Sequence, residues 1–239
     1  MAVTQGKAKL SDRIQLNEKY IHMFFEMTEP NELPFEAGQY VSVGIPNIGN
    51  RRPYSIASEP EKTHGFELLI DLTPQGIGTK YLQGLQPGEE MAILAPMGVF
   101  TLAKEEQAQK EKSLMFIATG SGIAPMRSMI LDLLHRQQDK REIWLYWGMR
   151  YEYDLFWADD FHQLEQAFPN FHFHLTLSQA GDEWPLCRGR VTDCLRIHEL
   201  PAEAGYYLCG NAKMIEEVSN LLITEKQIPE AFVHHEKFY

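Results

Sequence analysis

The sequence predicts two domains of different class in one chain: an N-terminal antiparallel β-barrel, then a doubly wound α/β domain on a parallel sheet. Three observations carry that expectation. Short β-rich runs fill the first hundred residues, cut at close intervals by glycine and proline. A charged run at 103–112 offers no apolar face to bury. Beyond it, apolar strands alternate with helical segments.

Residues 19–27, 39–45, 66–72 and 91–94 are short, largely alternating and rich in β-formers, which predicts strands of a half-buried sheet. Pro30, Pro34, Gly38, Pro46, Pro60, Pro74, Pro87 and Gly88 separate them, and strands at that spacing suit a small antiparallel barrel. The run Ala-Lys-Glu-Glu-Gln-Ala-Gln-Lys-Glu-Lys at 103–112 reads as a linker or a solvated helix. The expected domains are therefore residues 1–102 and 110–239. In the second, a strand at 114–118 leads to a helix over 125–136, with Pro125 tolerated in its first turn. Strands at 143–147, 171–178, 206–209 and 232–238 follow, interleaved with helices at 155–167, 192–198 and 212–224. That alternation is the signature of parallel βαβ units.

Composition narrows the classes. Hydrophobic residues make up 44% and charged residues 23% of the 239, an ordinary globular balance. No apolar run approaches the ~20 residues of a membrane span, and the start, Met-Ala-Val-Thr-Gln-Gly-Lys, lacks the apolar stretch of a secretion signal. The expected compartment is the cytoplasm, with no membrane partner. A net charge of -11 argues against nucleic acid as a partner, while Arg51 and Arg52 could form a local basic patch. The three cysteines, Cys187, Cys194 and Cys209, include no C-x-x-C pair, which argues against a disulfide framework, a zinc knuckle or an iron–sulfur cluster on this chain. His172 and His174 share a strand face, but no Cys or carboxylate cluster accompanies them, so no metal site is expected.

Three runs carry candidate chemistry. In Arg52-Pro53-Tyr54-Ser55 the Arg fork suits a pyrophosphate, the Tyr ring a planar heterocycle and the Ser hydroxyl a ring nitrogen. Taken alone, the run is read first as a strand at a barrel rim. Gly76-Ile77-Gly78-Thr79 places glycines and a hydroxyl at a helix start, with Thr79 expected as cap and ligand; a plain glycine turn with a cap reads the same way. Thr119-Gly120-Ser121-Gly122 joins a strand to a helix, where backbone amides and the helix dipole favour an anion. It is not G-x-G-x-x-G, so the usual dinucleotide fingerprint is absent.

In this order the motifs resemble those of the ferredoxin–NADP reductase superfamily across nearly the whole chain. Arg52-Pro53-Tyr54-Ser55 is similar to the family's R-x-Y-S flavin motif, and Gly76 with Thr79 to its G-x-x-S/T pyrophosphate motif. Pro96-Met97-Gly98 is similar to the P-x-G that closes the barrel, residues 119–125 to T-G-x-G-I-A-P, and Cys209-Gly210 with Met214 to C-G-x-x-x-M. Gly148, Arg150 and Asp154 fit the segment after the second strand. The resemblance implies FAD held by Arg52, Pro53, Tyr54, Ser55, Gly76, Gly78 and Thr79. It implies NADH or NADPH over Thr119, Gly120, Ser121 and Gly122, with the nicotinamide guided by Cys209 and Gly210. The chemistry implied is hydride transfer between nicotinamide and flavin, then electron release to a partner such as ferredoxin, flavodoxin or an oxygenase component.

The chain ends His235-Glu236-Lys237-Phe238-Tyr239. By resemblance Glu236 joins Ser55 and Cys209 as a catalytic candidate, and Phe238 or Tyr239 covers the flavin, the spacing favouring Phe238. An ordinary edge strand ending in aromatics is the plain alternative. Ser178, Arg188 and Arg190 are by resemblance candidates for the nucleotide 2′-phosphate, and Arg150 is a further cofactor-binding candidate, but Ser178-Gln179 stands where the family has Ser-Arg, so the choice between NADH and NADPH is open. A free-flavin reductase and the reductase component of a multi-component oxygenase are the rival enzymatic readings, and a non-catalytic subunit that only senses or docks nucleotide is the rival outside enzymes.

Overall fold

The computed structural model describes residues 3–46 and 49–238, with the backbone alone for Phe238. The chain divides into two compact units, Met1–Thr101 with Arg127–Gln137, and Leu102–Met126 with Gln138–Tyr239.

The first unit is a six-stranded antiparallel sheet of β1 (Thr4–Gln15), β2 (Tyr20–Glu29), β3 (Tyr40–Gly44), β4 (Arg51–Ser55), β5 (Gly65–Asp71) and β6 (Glu90–Met97). The order is β4-β3-β6-β1-β2-β5, and a bridge from Ile56 to Leu68 draws the two ends together into a nearly closed barrel. Alternation along the strands sends Leu10, Ile21, Met23, Val41, Ile56, Leu68 and Ile93 into one core. The expected strands are all present, while β1 is an addition. Its run Thr-Gln-Gly-Lys-Ala-Lys-Leu-Ser-Asp-Arg-Ile-Gln is mostly polar, buries chiefly Gly6, Ala8 and Leu10, and changes register between Leu10 and Asp12. A bulge of that kind breaks the apolar alternation a sequence reader relies on. Helix α1 (Ile77–Gly84) follows β5.

The helical segment Arg127–Gln137 is bound to the barrel. Arg127 donates to the Ala57 carbonyl at 2.7 Å and to Glu67 at 2.9 Å, and Ser128 Oγ donates to the Ser58 carbonyl at 2.6 Å.

The second unit is a parallel sheet of β7 (Ser113–Thr119), β8 (Glu142–Met149), β9 (Phe171–Leu177), β10 (Cys187–Arg188), β11 (Ala204–Asn211) and β12 (Val233–Phe238), ordered β10-β9-β8-β7-β11-β12. Its helices are α2 (Glu105–Lys110), α4 (Ala158–Ala167), α5 (Val191–Ile197) and α6 (Ala212–Asn220), with the start of α3 (Ile123–Leu131), whose residues from Arg127 onward belong to the first unit. Strand β7 pairs with β8 on one side and β11 on the other, so the winding reverses direction between β7 and β11. In open α/β sheets that switch point opens a crevice at the carboxyl ends of the strands, and ligands bind there.

Three details differ from the sequence expectation. Helix α3 starts at Ile123, two residues before Pro125, behind a 3₁₀ turn at Gly120–Gly122. Strand β10 is two residues long, too short to leave a pattern. The charged run at 103–112 holds α2, which buries no residue, yet Glu111 directly after it is 1% exposed. Tyr207 Oη donates to Glu111 at 2.8 Å and His234 Nε2 stands 2.8 Å from its other oxygen, which satisfies the buried carboxylate. Among the described residues no helix is long and apolar enough to cross a membrane.

Candidate active site

In the barrel unit, β4 is the edge strand that carries Arg52, Pro53, Tyr54 and Ser55, paired to β3 with Tyr54 opposite Val41 and Ser55 opposite Tyr40. An edge strand is where Pro53 costs no ladder bond. Ser55 is buried at the strand end, while Arg52 and Pro53 are exposed. Helix α1 comes so close to this strand that a Cβ added at Gly78 would lie 2.5 Å from Tyr54 Oη and 2.9 Å from Arg52 Cγ. Only glycine allows that approach.

The two separately legible motifs therefore form one cluster of guanidinium, phenol, hydroxyl and helix start. Tyr54 is hydrogen-bonded to the Thr79 side chain, and burial pushes its phenol up despite that bond and the charge of Arg52. The N-cap of α1 is Gly76, without a side-chain cap. Thr79 is the third helical residue, its hydroxyl 3.4 Å from the Asp71 carbonyl, so the expected capping role of Thr79 is corrected: a residue inside the helix cannot accept from its own first turn as a cap does. Arg51 also departs from the surface role considered for it. Its guanidinium donates to Ser42 Oγ at 3.2 Å and to the Ser42 carbonyl, which draws it into the barrel wall.

In the second unit, Gly120–Gly122 leaves the end of β7 and Cys209-Gly210 lies at the end of β11, the two sides of the switch point. A Cβ on Gly122 would fall against Cys209 and Gly210, and one on Gly210, whose φ is 136°, against Thr119. Thr119 Oγ1 accepts from the Asn211 amide at 3.1 Å, and Trp147 Nε1 donates to the Gly120 carbonyl at 3.2 Å. The glycines thus pack two turns directly onto each other ahead of α3, in the arrangement that suits a phosphate at a helix start.

Cys209 is fully buried and stands in register with Glu236 of β12. Burial, then the Glu236 charge, pushes its thiol well up, so it is a neutral S–H. Two of the three catalytic candidates are therefore neighbours; Ser55 belongs to the barrel unit. The backbone of Phe238 pairs with Asn211, its side chain is not described, and Tyr239 lies outside the described residues.

The remaining nucleotide candidates line adjoining loops. Arg150 is exposed, with its guanidinium carbon 5.2 Å from the Tyr151 ring centroid, and the Ser178 and Gln179 amides donate to the Met149 and Arg150 carbonyls at 3.0 and 2.9 Å. Arg188 donates to the carbonyls of Asp182 and Trp184, at 2.5 and 3.0 Å, in the loop that leads into its own strand. His174 stacks on Tyr146, and burial followed by His198 lowers it to about 4, which leaves it neutral at pH 7. Among the described residues no group of three or more His, Cys, Asp or Glu is placed to hold a metal.

Two family models match, the oxidoreductase FAD-binding domain over residues 7–102 and the oxidoreductase NAD-binding domain over residues 116–220. Ferredoxin–NADP reductase B of Sorangium cellulosum (strain So ce56) is 31% identical over 223 residues, 90% of this chain and 89% of the relative. The chain belongs to the ferredoxin–NADP reductase superfamily. This family member is an FAD-dependent NAD(P)H oxidoreductase, and the two glycine-gated cradles fit those two groups. The phenol 2-monooxygenase reductase component DmpP of Pseudomonas sp. (strain CF600) is 35% identical over 212 residues, 87% of this chain but only 58% of that relative. The Amycolatopsis cytochrome P450 reductase GcoB superposes with a TM-score of 0.86 at 26% identity, covering 99% of this chain and 70% of that one.

Proposed function

We propose that this reductase passes electrons from NADH or NADPH, by way of bound FAD, to a small electron-transfer protein such as ferredoxin or flavodoxin. The observation that carries the reading is the close approach of Gly78 to Tyr54 and Arg52. It gathers a cation, an aromatic ring and a helix start where a flavin nucleotide needs them. When bound, FAD supplies a ring that takes up two electrons with a proton and gives them up singly or together.

In this reading the Arg52 guanidinium and the α1 amides neutralise the pyrophosphate, Tyr54 presents its ring to the isoalloxazine, and Ser55 offers a hydroxyl to its N5 edge. The amides after Thr119 hold the pyrophosphate of the nicotinamide nucleotide, and Arg150, Ser178 and Arg188 flank its ribose. Cys209, kept as a neutral thiol, and Glu236 orient the nicotinamide. The proposed compartment is the cytoplasm, and the choice between NADH and NADPH stays with the assay.

The Sorangium relative's name supports the ferredoxin-type partner. The Pseudomonas relative supports a second reading, in which the acceptor is an oxygenase component carrying its own cluster. The test is steady-state reduction of ferricyanide by NADH and NADPH in parallel, followed by ferredoxin, flavodoxin and an oxygenase component as acceptors. A yellow protein that reduces ferricyanide with either nucleotide supports the core reading, and the preferred acceptor chooses the partner. A colourless protein that turns over only with added flavin points to a free-flavin reductase. FAD-loaded protein without NAD(P)H-dependent dye reduction defeats the enzymatic reading.

A further inference from the structure

The edge of the parallel sheet holds sulfur chemistry that electron transfer does not use. Cys187 opens β10 in register with Thr176 of β9, and Cys194 sits on α5. Both are free thiols, and their sulfurs stand 2.8 Å apart, with the Cys194 thiol donating to Cys187. That is well inside ordinary non-bonded contact, about 3.5–4.0 Å even between carbon atoms. Both sulfurs sit on held backbone. The Cys187 carbonyl accepts from Thr176 Oγ1 and Trp184 Nε1, each at 3.1 Å, and Asp193 beside Cys194 accepts from the Arg190 amide at 2.8 Å. The pair does not suit a metal: two thiolates on a tetrahedral zinc at about 2.3 Å each would stand roughly 3.7 Å apart.

Exposure divides the labour. Cys187 is half-buried, whereas Cys194 is 1% exposed and reachable chiefly through its partner. His198 Nδ1, one helical turn on, lies 3.9 Å from Cys194 Sγ, near enough to take its proton.

We propose that Cys187 and Cys194 are a reversible dithiol–disulfide site that, when oxidised, staples β10 to α5. The oxidant is a low-molecular-weight disulfide. The Cys187 thiolate attacks one of its sulfurs, forming a mixed disulfide and releasing one small thiol. Cys194 then loses its proton and attacks Cys187 Sγ, releasing the second small thiol. Two protein thiols are oxidised by two electrons, one small disulfide is reduced to two thiols, and the atoms balance. The staple closes a short loop that contains Arg188 and Arg190. Nothing in this inference depends on flavin or nucleotide binding.

The test equilibrates the full-length protein across glutathione to glutathione-disulfide ratios, quenches with acid and alkylates after denaturation for intact mass and peptide mapping. The expected result is a fall from three alkylated cysteines to one, a peptide linking Cys187 to Cys194, and recovery of three after dithiothreitol. In Cys194→Ser a glutathione adduct should persist on Cys187, because the resolving thiol is gone. Three alkylatable thiols across the whole range would overturn the proposal, as would a lasting adduct on wild-type Cys187 or a covalent dimer. The wild-type result stands even if the variant does not fold, and thiol counts report on the pair whether or not the protein proves to be a flavoenzyme.

Discussion

Glu67 shows how much a single residue can hold without leaving a trace in sequence. It lies in the apolar run Phe-Glu-Leu-Leu-Ile of β5 and is 5% exposed. Lys62 Nζ at 2.6 Å, Arg127 at 2.9 Å and His22 Nε2 at 3.1 Å surround its carboxylate. These partners come from three separate stretches of chain, so no spacing rule could join them. Burial alone would raise this carboxyl, but the His22 hydrogen bond and the charges of Arg127 and Lys62 outweigh it and hold it far below its ordinary 4.5. A depressed folded value means the stabilisation is complete above about 4.5 and fades as pH falls toward the folded value. Glu67→Gln should therefore lower stability by about 3 kcal/mol at pH 7, leaving Arg127 and Lys62 uncompensated. The gap between variant and wild type should narrow below pH 4.5 in urea unfolding; a constant gap would remove the ionic explanation. Tyr54, by contrast, is legible because its motif is contiguous. Tyr54→Ala should weaken FAD retention by at least fivefold, the equivalent of about 1 kcal/mol beyond lost area, measured by flavin fluorescence on dilution. Unchanged retention would count against the stacking role.

At the scale of elements, legibility followed burial. Strands β7, β8 and β11 lie inside a parallel sheet, are covered on both faces and read as unbroken apolar runs. Strand β1 alternates weakly and carries a bulge, and β10 has two residues, so neither announces itself. The same limit hid the thiol pair: a spacing of seven residues is no motif until β10 turns back beside α5. Glu236 lay between these cases. Its identity was readable from the tail, but only the parallel register of β11 with β12 sets it beside Cys209. That register predicts coupling. Glu236→Ala and Cys209→Ala should each lower kcat by up to about 100-fold through misplacement of the nicotinamide, with flavin content unchanged. The double variant should lose less than the product of the two, because the side chains act on one another. Strict multiplicativity in a double-mutant cycle would show that they work separately.

At the scale of the molecule, each unit has its own apolar core, so each cofactor should stabilise the unit that carries its cradle. Glycine explains why both candidate cradles could be proposed from sequence. Gly78, Gly122 and Gly210 mark places where another segment lies too near for a side chain, and a glycine at a turn or helix start is legible in the sequence. A ligand that binds only folded protein stabilises it by RT ln(1 + [L]/Kd), about 2.7 kcal/mol at one hundred times Kd. For a unit of this size that is roughly 10 °C in melting temperature. Hydrogen exchange should place the effect as well as measure it. Saturating FAD should slow exchange across β4 and α1, where Arg52, Tyr54 and Thr79 meet, whereas oxidised nicotinamide nucleotide should slow it at 119–124 and 209–211. Protection by FAD that spared β4 and α1 while covering the β7 and β11 turns would exchange the two assignments. If neither ligand altered exchange, the cradles would be packing devices with no nucleotide to hold.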